Sequence, residues 1–182
     1  MAGKDVMKST ELVSDLRYQI SEAIEGKSLL ACIQCGVCSS GCTVSEYIDM
    51  QPHRIVACLL LGLKEKVLDS NAIWYCSICH RCTERCPKNV DFSFILAHVR
   101  NLAAKEGHVP PEYAVTVNSL LEYGYVVPYS GAMKKTIDRN REKFGLPQIV
   151  TPKLEEVEYI IKETGLKKVL EDAKTLKEES KT

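Results

Sequence analysis

The chain is 182 residues long, enough for one compact unit or two small ones. Its 24 Lys and Arg balance 24 Asp and Glu, so no strong net field points to nucleic acid or an anionic membrane surface as the main partner. Hydrophobic residues make up 45% and charged residues 26%, which excludes a disordered chain. The longest apolar run, Ile55 to Leu63, is far shorter than the roughly 20 residues of a membrane-spanning helix. Residues 1–10 carry Lys4, Asp5 and Lys8 with no apolar stretch, so no secretory leader and a cytoplasmic location are expected.

The first predicted element is an amphipathic helix over 5–25, with Leu12, Leu16, Ile20 and Ala23/Ile24 on one face and Gly26 as its stop. A Cys group follows: Cys32-Ile-Gln-Cys35-Gly-Val-Cys38-Ser-Ser-Gly-Cys42. Pro52 suits a helix start and Gly62 its end, and a short helix is expected at 64–68. Trp74 and Tyr75 precede the second group and are expected to shield it. That group reads Cys76-Ser-Ile-Cys79-His-Arg-Cys82-Thr-Glu-Arg-Cys86-Pro87. Asp91 is placed to cap a helix through Phe94, Ile95, Ala97, His98 and Leu102, ending near Gly107.

Val109-Pro110-Pro111 marks a boundary. Beyond it come a helix near 112–122 and a turn through Gly124, Pro128 and Gly131. A basic stretch from Lys134 to Lys143 then suits either a docking face or a solvated one. Past Pro147 and Pro152, the apolar teeth Leu154, Val157, Ile160, Ile161, Leu166, Val169 and Leu170 suit short amphipathic helices. The expected organisation is an N-terminal helix at 1–28, a helical cluster-binding domain at 29–108 and a helical extension at 109–182 that docks a partner. No strand alternation is visible, so the fold class is mainly α.

Nine Cys in a chain without a leader point to metal rather than disulfides. Eight of them form two C-x2-C-x2-C-x3-C motifs, with every position of the second offset by 44 from the first. A [4Fe–4S] cube needs four thiolates, and three Cys spaced by two residues let one tight loop reach three corners. In two-cluster bacterial ferredoxins the fourth Cys of such a run ligates the other cluster. Swapped ligation is therefore expected here. Cys32, Cys35, Cys38 and Cys86 would hold one cube, and Cys76, Cys79, Cys82 and Cys42 the other. Two four-thiolate zinc sites are the alternative, although zinc is more often held by well-separated C-x2-C knuckles. Gly36 and Gly41 are expected to bring backbone N–H groups to sulfur. His80, Arg81 and Arg85 could add positive charge near the second group. Cys58 lies in an apolar helix and reads as a small buried hydrophobe. His53, His98 and His108 show no ligand spacing.

The paired motifs, the helical spacer and the later run Asp138-Arg-Asn-Arg-Glu-Lys-Phe-Gly-Leu-Pro147 resemble the α-helical ferredoxin module, and more closely the family of iron–sulfur subunits of heterodisulfide reductases. The resemblance covers roughly 5–150. It implies an α-helical ferredoxin-like domain holding two [4Fe–4S] clusters, with flanking helices and no substrate site of its own. Electrons would pass from a flavin-bearing subunit to the catalytic subunit, which reduces the mixed disulfide of coenzyme M and coenzyme B in methanogenesis. A hydrogenase or formate dehydrogenase joins the larger electron-bifurcating complex. The family's catalytic subunit uses adjacent Cys pairs, and this chain has none. The cluster subunit of a glycolate, glycerol-3-phosphate or sulfur-compound oxidoreductase and a structural metal-binding scaffold are the other readings. No dinucleotide or phosphate-loop motif is present.

Overall fold

Short helices joined by turns make up most of the described chain. The computed structural model describes residues 12–23, 26–110 and 112–169. It divides into two units, Met1–His108 and Val109–Thr182. Among the described residues every regular element is helical, as the sequence leads one to expect.

In the first unit, α1 spans Leu16–Glu22 and a 3-10 turn spans Leu29–Ala31. They are followed by α2 (Val37–Ser40), α3 (Pro52–Leu61), α4 (Lys64–Leu68), α5 (Ala72–Tyr75), α6 (Arg81–Glu84) and α7 (Phe92–Lys105). The N-terminal helix differs from expectation. Among the described residues it begins at Leu16, while Leu12 precedes it and is exposed; 5–11 and 24–25 lie outside the described residues. Helix register is kept where it matters, because Leu16 and Ile20, four apart, are both buried.

α3 starts at Pro52, whose missing N–H is no loss in a first turn, and stops at Gly62. Gly62 takes φ +79°, and the Leu63 amide bonds back to the Cys58 carbonyl at 2.9 Å. The absence of a side chain here has a second use. The Val13 amide donates to the Gly62 carbonyl at 2.8 Å, and a Cβ on Gly62 would collide with the Val13 carbonyl oxygen. The segment leading into α1 is thus seated on the end of α3.

The core of this unit is drawn from α1, α3, α4, α5 and α7; Leu59, Val67, Ile73, Ile95 and Val99 are essentially fully buried. Each such side chain contributes about 1.5–3 kcal/mol of apolar burial. Two polar devices orient the loops on this core. The Asp49 carboxylate accepts from the Ser70 hydroxyl (2.6 Å) and the Ala72 amide (3.2 Å), tying the chain after the first Cys group to the start of α5. The Asp91 amide donates to the Ser28 hydroxyl at 2.8 Å, tying the start of α7 to the turn before that group. Asp91 holds the N-cap position of α7, but its carboxylate accepts from the Thr83 hydroxyl at 2.9 Å rather than from a helix amide.

The second unit contains α8 (Glu112–Tyr123), α9 (Gly131–Lys143) and α10 (Leu154–Glu163). α10 packs on α8 and buries Ile161. The buried Ser119 hydroxyl donates to the Tyr125 carbonyl (2.9 Å), and the Tyr125 hydroxyl to the Val150 carbonyl (2.7 Å). No residue of α9 is buried, so the basic stretch is an exposed helix, as either a docking face or a solvated one would be. Leu170 lies outside the described residues. No helix among the described residues is long and apolar enough to cross a membrane.

Candidate metal centre

The offset of 44 extends from the sequence to the backbone. Gln34 (φ +56°) and Ile78 (φ +51°) are equivalent positions, as are Gly36 (φ +77°) and His80 (φ +58°). Each pair lies in the left-handed region, which three of these four residues enter at a steric cost. Gly36 then opens α2 and His80 opens α6. The Cys42 amide bonds to the Ser39 carbonyl (3.2 Å), as the Cys86 amide does to that of Thr83 (3.1 Å). One loop design is thus built twice.

The two loops enclose two hollows. The first is lined by Cys32, Cys35, Cys38, Cys82 and Cys86 against apolar walls that include Val56 and Val90. The second is lined by Cys42, Cys76, Cys79 and Cys82 against walls that include Ile55 and Leu96. Cys82 and Phe92 border both. All eight motif Cys therefore face a hollow, and each hollow takes thiols from both motifs. Cys58 lines neither; it is 8% exposed within the core, and burial pushes its thiol up from the ordinary range.

Cys35 and Cys79, the second Cys of each motif, are exposed; the other six motif thiols are half-buried. Burial pushes the Cys38 and Cys76 thiols up. The Cys79 thiol is held down by the Arg81 amide and then by the Thr43 hydroxyl, 3.7 Å from its sulfur. Other donors also reach sulfur. The Gln34 amide and side-chain Nε2 lie 3.5 and 3.4 Å from Cys32 Sγ, and the Val90 amide 3.3 Å from Cys86 Sγ. The Ile78 amide serves Cys76. Gly36 and Gly41, expected to supply such amides, have other uses here. Gly36 takes the left-handed turn, and Gly41 leaves room for the Arg85 guanidinium, which a Cβ at 41 would strike.

The flanking residues divide. Arg81 lines the second hollow, and the His80 ring packs on Phe94 with centroids 5.5 Å apart. Trp74 packs on the core and Tyr75 is 58% exposed; neither lines a hollow, so the expected shielding comes from Val56, Phe92 and Leu96. His53 lines the first hollow with Nδ1 2.6 Å from the Ser39 hydroxyl, and His108 pairs with Asp69 at 2.7 Å.

Several contributors have no motif of their own. Arg100, from α7, donates to the carbonyls of Ile73, Trp74 and Cys76, capping the end of α5 as it enters the second loop. Ser93, on the first turn of α7, reaches Cys82 Sγ. A hydroxyl next to a Cys motif is the available signal for Thr43 alone.

The donor set suits a multi-iron cage. A mononuclear zinc draws its ligands to about 2.0–2.3 Å from one point. Among the described residues no group of three or more His, Cys, Asp or Glu closes on a single ion in that way. Four or more thiols line each hollow, and N–H and O–H groups lie near several of the sulfurs, the kind of contact that tunes an iron–sulfur cluster.

Comparison with known proteins agrees. A family model described as a 4Fe-4S dicluster domain matches residues 28–90. An iron-sulfur subunit of the CoB–CoM heterodisulfide reductase of Methanocaldococcus jannaschii is 35% identical over 79% of this chain and 78% of its own length. The corresponding iron-sulfur subunit from Methanopyrus kandleri is 30% identical over 84% and 80%. Its counterpart in the H(2):CoB-CoM heterodisulfide,ferredoxin reductase of Methanothermobacter thermautotrophicus is 30% identical over 82% of each chain. With its helical build and its dicluster domain, the fold is α-helical ferredoxin-like. The chain belongs to the family of heterodisulfide reductase iron–sulfur subunits.

Proposed function

We propose that this chain is the electron-relay subunit of a soluble, cytoplasmic heterodisulfide reductase complex and binds no substrate itself. Cys32, Cys35, Cys38 and Cys86 hold one [4Fe–4S] cluster, and Cys76, Cys79, Cys82 and Cys42 hold the other. The observation that carries this reading is that each quartet borders a single hollow, three members from one motif and the fourth from the other. When bound, each cluster supplies a one-electron couple whose potential depends on sulfur hydrogen bonds, burial and nearby charge.

The chain's own residues do the rest. Val56, Phe92 and Leu96 exclude water. The amides of Gln34, Ile78, Arg81 and Val90 stabilise added negative charge on sulfur. The exposed corners Cys35 and Cys79, flanked by the exposed Ile33 and Ile78, are where electrons enter and leave. The electron donor is a flavin-bearing subunit. The acceptor is a catalytic subunit that reduces the coenzyme M–coenzyme B disulfide, with a hydrogenase or formate dehydrogenase in the larger complex. Residues 109–182 serve docking.

The test is iron, sulfide and zinc content of protein purified without oxygen, with EPR after dithionite. About eight irons and eight sulfides per chain, with two interacting signals, are expected. Zinc without sulfide would replace the relay with a structural scaffold.

A further inference from the structure

We propose that Ser93 is a positioning residue that sets the potential of the cluster ligated by Cys82, by donating its hydroxyl proton to the Cys82 sulfur. The inference rests on the assignment of Cys82 as a cluster ligand made above. Ser93 is 1% exposed, and its Oγ lies 3.6 Å from Cys82 Sγ and 3.3 Å from Thr83 Oγ1. Proton counting decides what it does. Thr83 has one hydroxyl proton and commits it to Asp91 Oδ1 at 2.9 Å, since a carboxylate only accepts. Thr83 Oγ1 can then only accept from Ser93. The single Ser93 proton has two candidate acceptors, the Thr83 oxygen and the Cys82 sulfur.

Ligation makes that sulfur a thiolate, and an electron added to the cluster makes it more negative. A hydrogen bond to an ionised acceptor is about twice as strong as a neutral one. The Ser93 proton therefore turns to sulfur, and more firmly in the reduced state, which raises the potential. The position matters because Cys82 borders both hollows, so Ser93 acts on the wall between the two sites.

The competition with Thr83 gives a test with two signs. EPR-monitored redox titrations are run on the full chain, purified without oxygen, as wild type, Ser93→Ala, Ser93→Thr and Thr83→Val. Ser93→Ala is expected to lower one midpoint potential and leave the other in place. Ser93→Thr restores it. Thr83→Val removes the competing acceptor and raises the same midpoint. A loss of packing alone would move both variants in one direction. An unmoved midpoint in Ser93→Ala, equal shifts of both clusters, or shifts of one sign in Ser93→Ala and Thr83→Val would overturn the inference. If Ser93→Ala fails to hold iron, Thr83→Val decides: an upward shift supports the inference, and none or a downward one defeats it. Wild-type protein lacking iron and sulfide would remove the proposed function and this inference with it. Clusters in the wild type with an unmoved Ser93→Ala midpoint would remove this inference alone.

Discussion

The Arg100 guanidinium donates to the main-chain carbonyl of Cys76, joining the middle of α7 to the first ligand position of the second loop. The same side chain also takes the carbonyls of Ile73 and Trp74, so it satisfies the end of α5 where no further helical amide follows. Arg100→Met keeps the apolar stem and strands these acceptors. Hydrogen bonds to a charged group contribute about 1.5–3 kcal/mol, and a loss of that size is expected in chemical denaturation. Its EPR signature should be a weakened second-loop cluster with the first retained.

Cys42→Ser distinguishes swapped from local ligation. Cys42 borders the hollow of the second motif, so the substitution is expected to damage that cluster and spare the one bordered by Cys32, Cys35 and Cys38. EPR of the reduced variant reads the outcome. Loss of the first cluster's signal instead would falsify the swapped assignment.

Gly62→Ala tests the seat of the N-terminal segment. The new Cβ meets main chain rather than a yielding side chain, and the position requires positive φ. Conformation alone costs roughly 1–2 kcal/mol, and the clash with Val13 adds to it. Thermal denaturation should show the loss, while iron content in the cold stays at the wild-type level.

Cys58 is the thiol to change without touching the metal. Cys58→Ala should leave iron and sulfide content unaltered with a modest loss of stability. Cys58→Ser buries a hydroxyl in the core at a cost of about 1–3 kcal/mol. A drop in iron stoichiometry in the Ala variant would contradict the placement of Cys58 in the core.

In the second unit, the hydrogen bond to Asp138, reinforced by that carboxylate's charge, pushes the Tyr129 phenol up to about 12 from an ordinary value near 10. A raised folded-state value means the bond contributes fully below pH about 10 and is lost as pH climbs toward 12. Ultraviolet titration should show one late-ionising tyrosine, and Tyr129→Phe should remove it.

What could be read from the sequence follows from how far apart the causes lie. Pro52 and Gly62 announce the ends of α3 within the helix itself, and α4 sits at 64–68 as expected. The eight motif Cys announce themselves by spacing. The partners distant in sequence do not, because they are brought together only by the fold. Ser93 meets Cys82 from 11 residues away and Arg100 meets the Ile73 carbonyl from 27, while Thr43, 36 residues from Cys79, is marked only by its place beside Cys42. The overlong N-terminal helix has a similar cause. Val13 bonds to Gly62, a tertiary demand that no local periodicity records. Trp74 and Tyr75 stand away from both hollows because adjacency to Cys76 in sequence does not give adjacency to its sulfur.

The matched left-handed pairs Gln34/Ile78 and Gly36/His80 carry a last implication. Two copies of one main-chain mould offer a bound cofactor nearly the same cradle of peptide dipoles. Side chains add differences of their own, since Gln34 serves one copy and Thr43 and Ser93 the other. The mould sets the main-chain conformation of both loops, and a few side chains set which sulfurs receive an extra hydrogen bond. Such side chains can be replaced one at a time without recasting the fold.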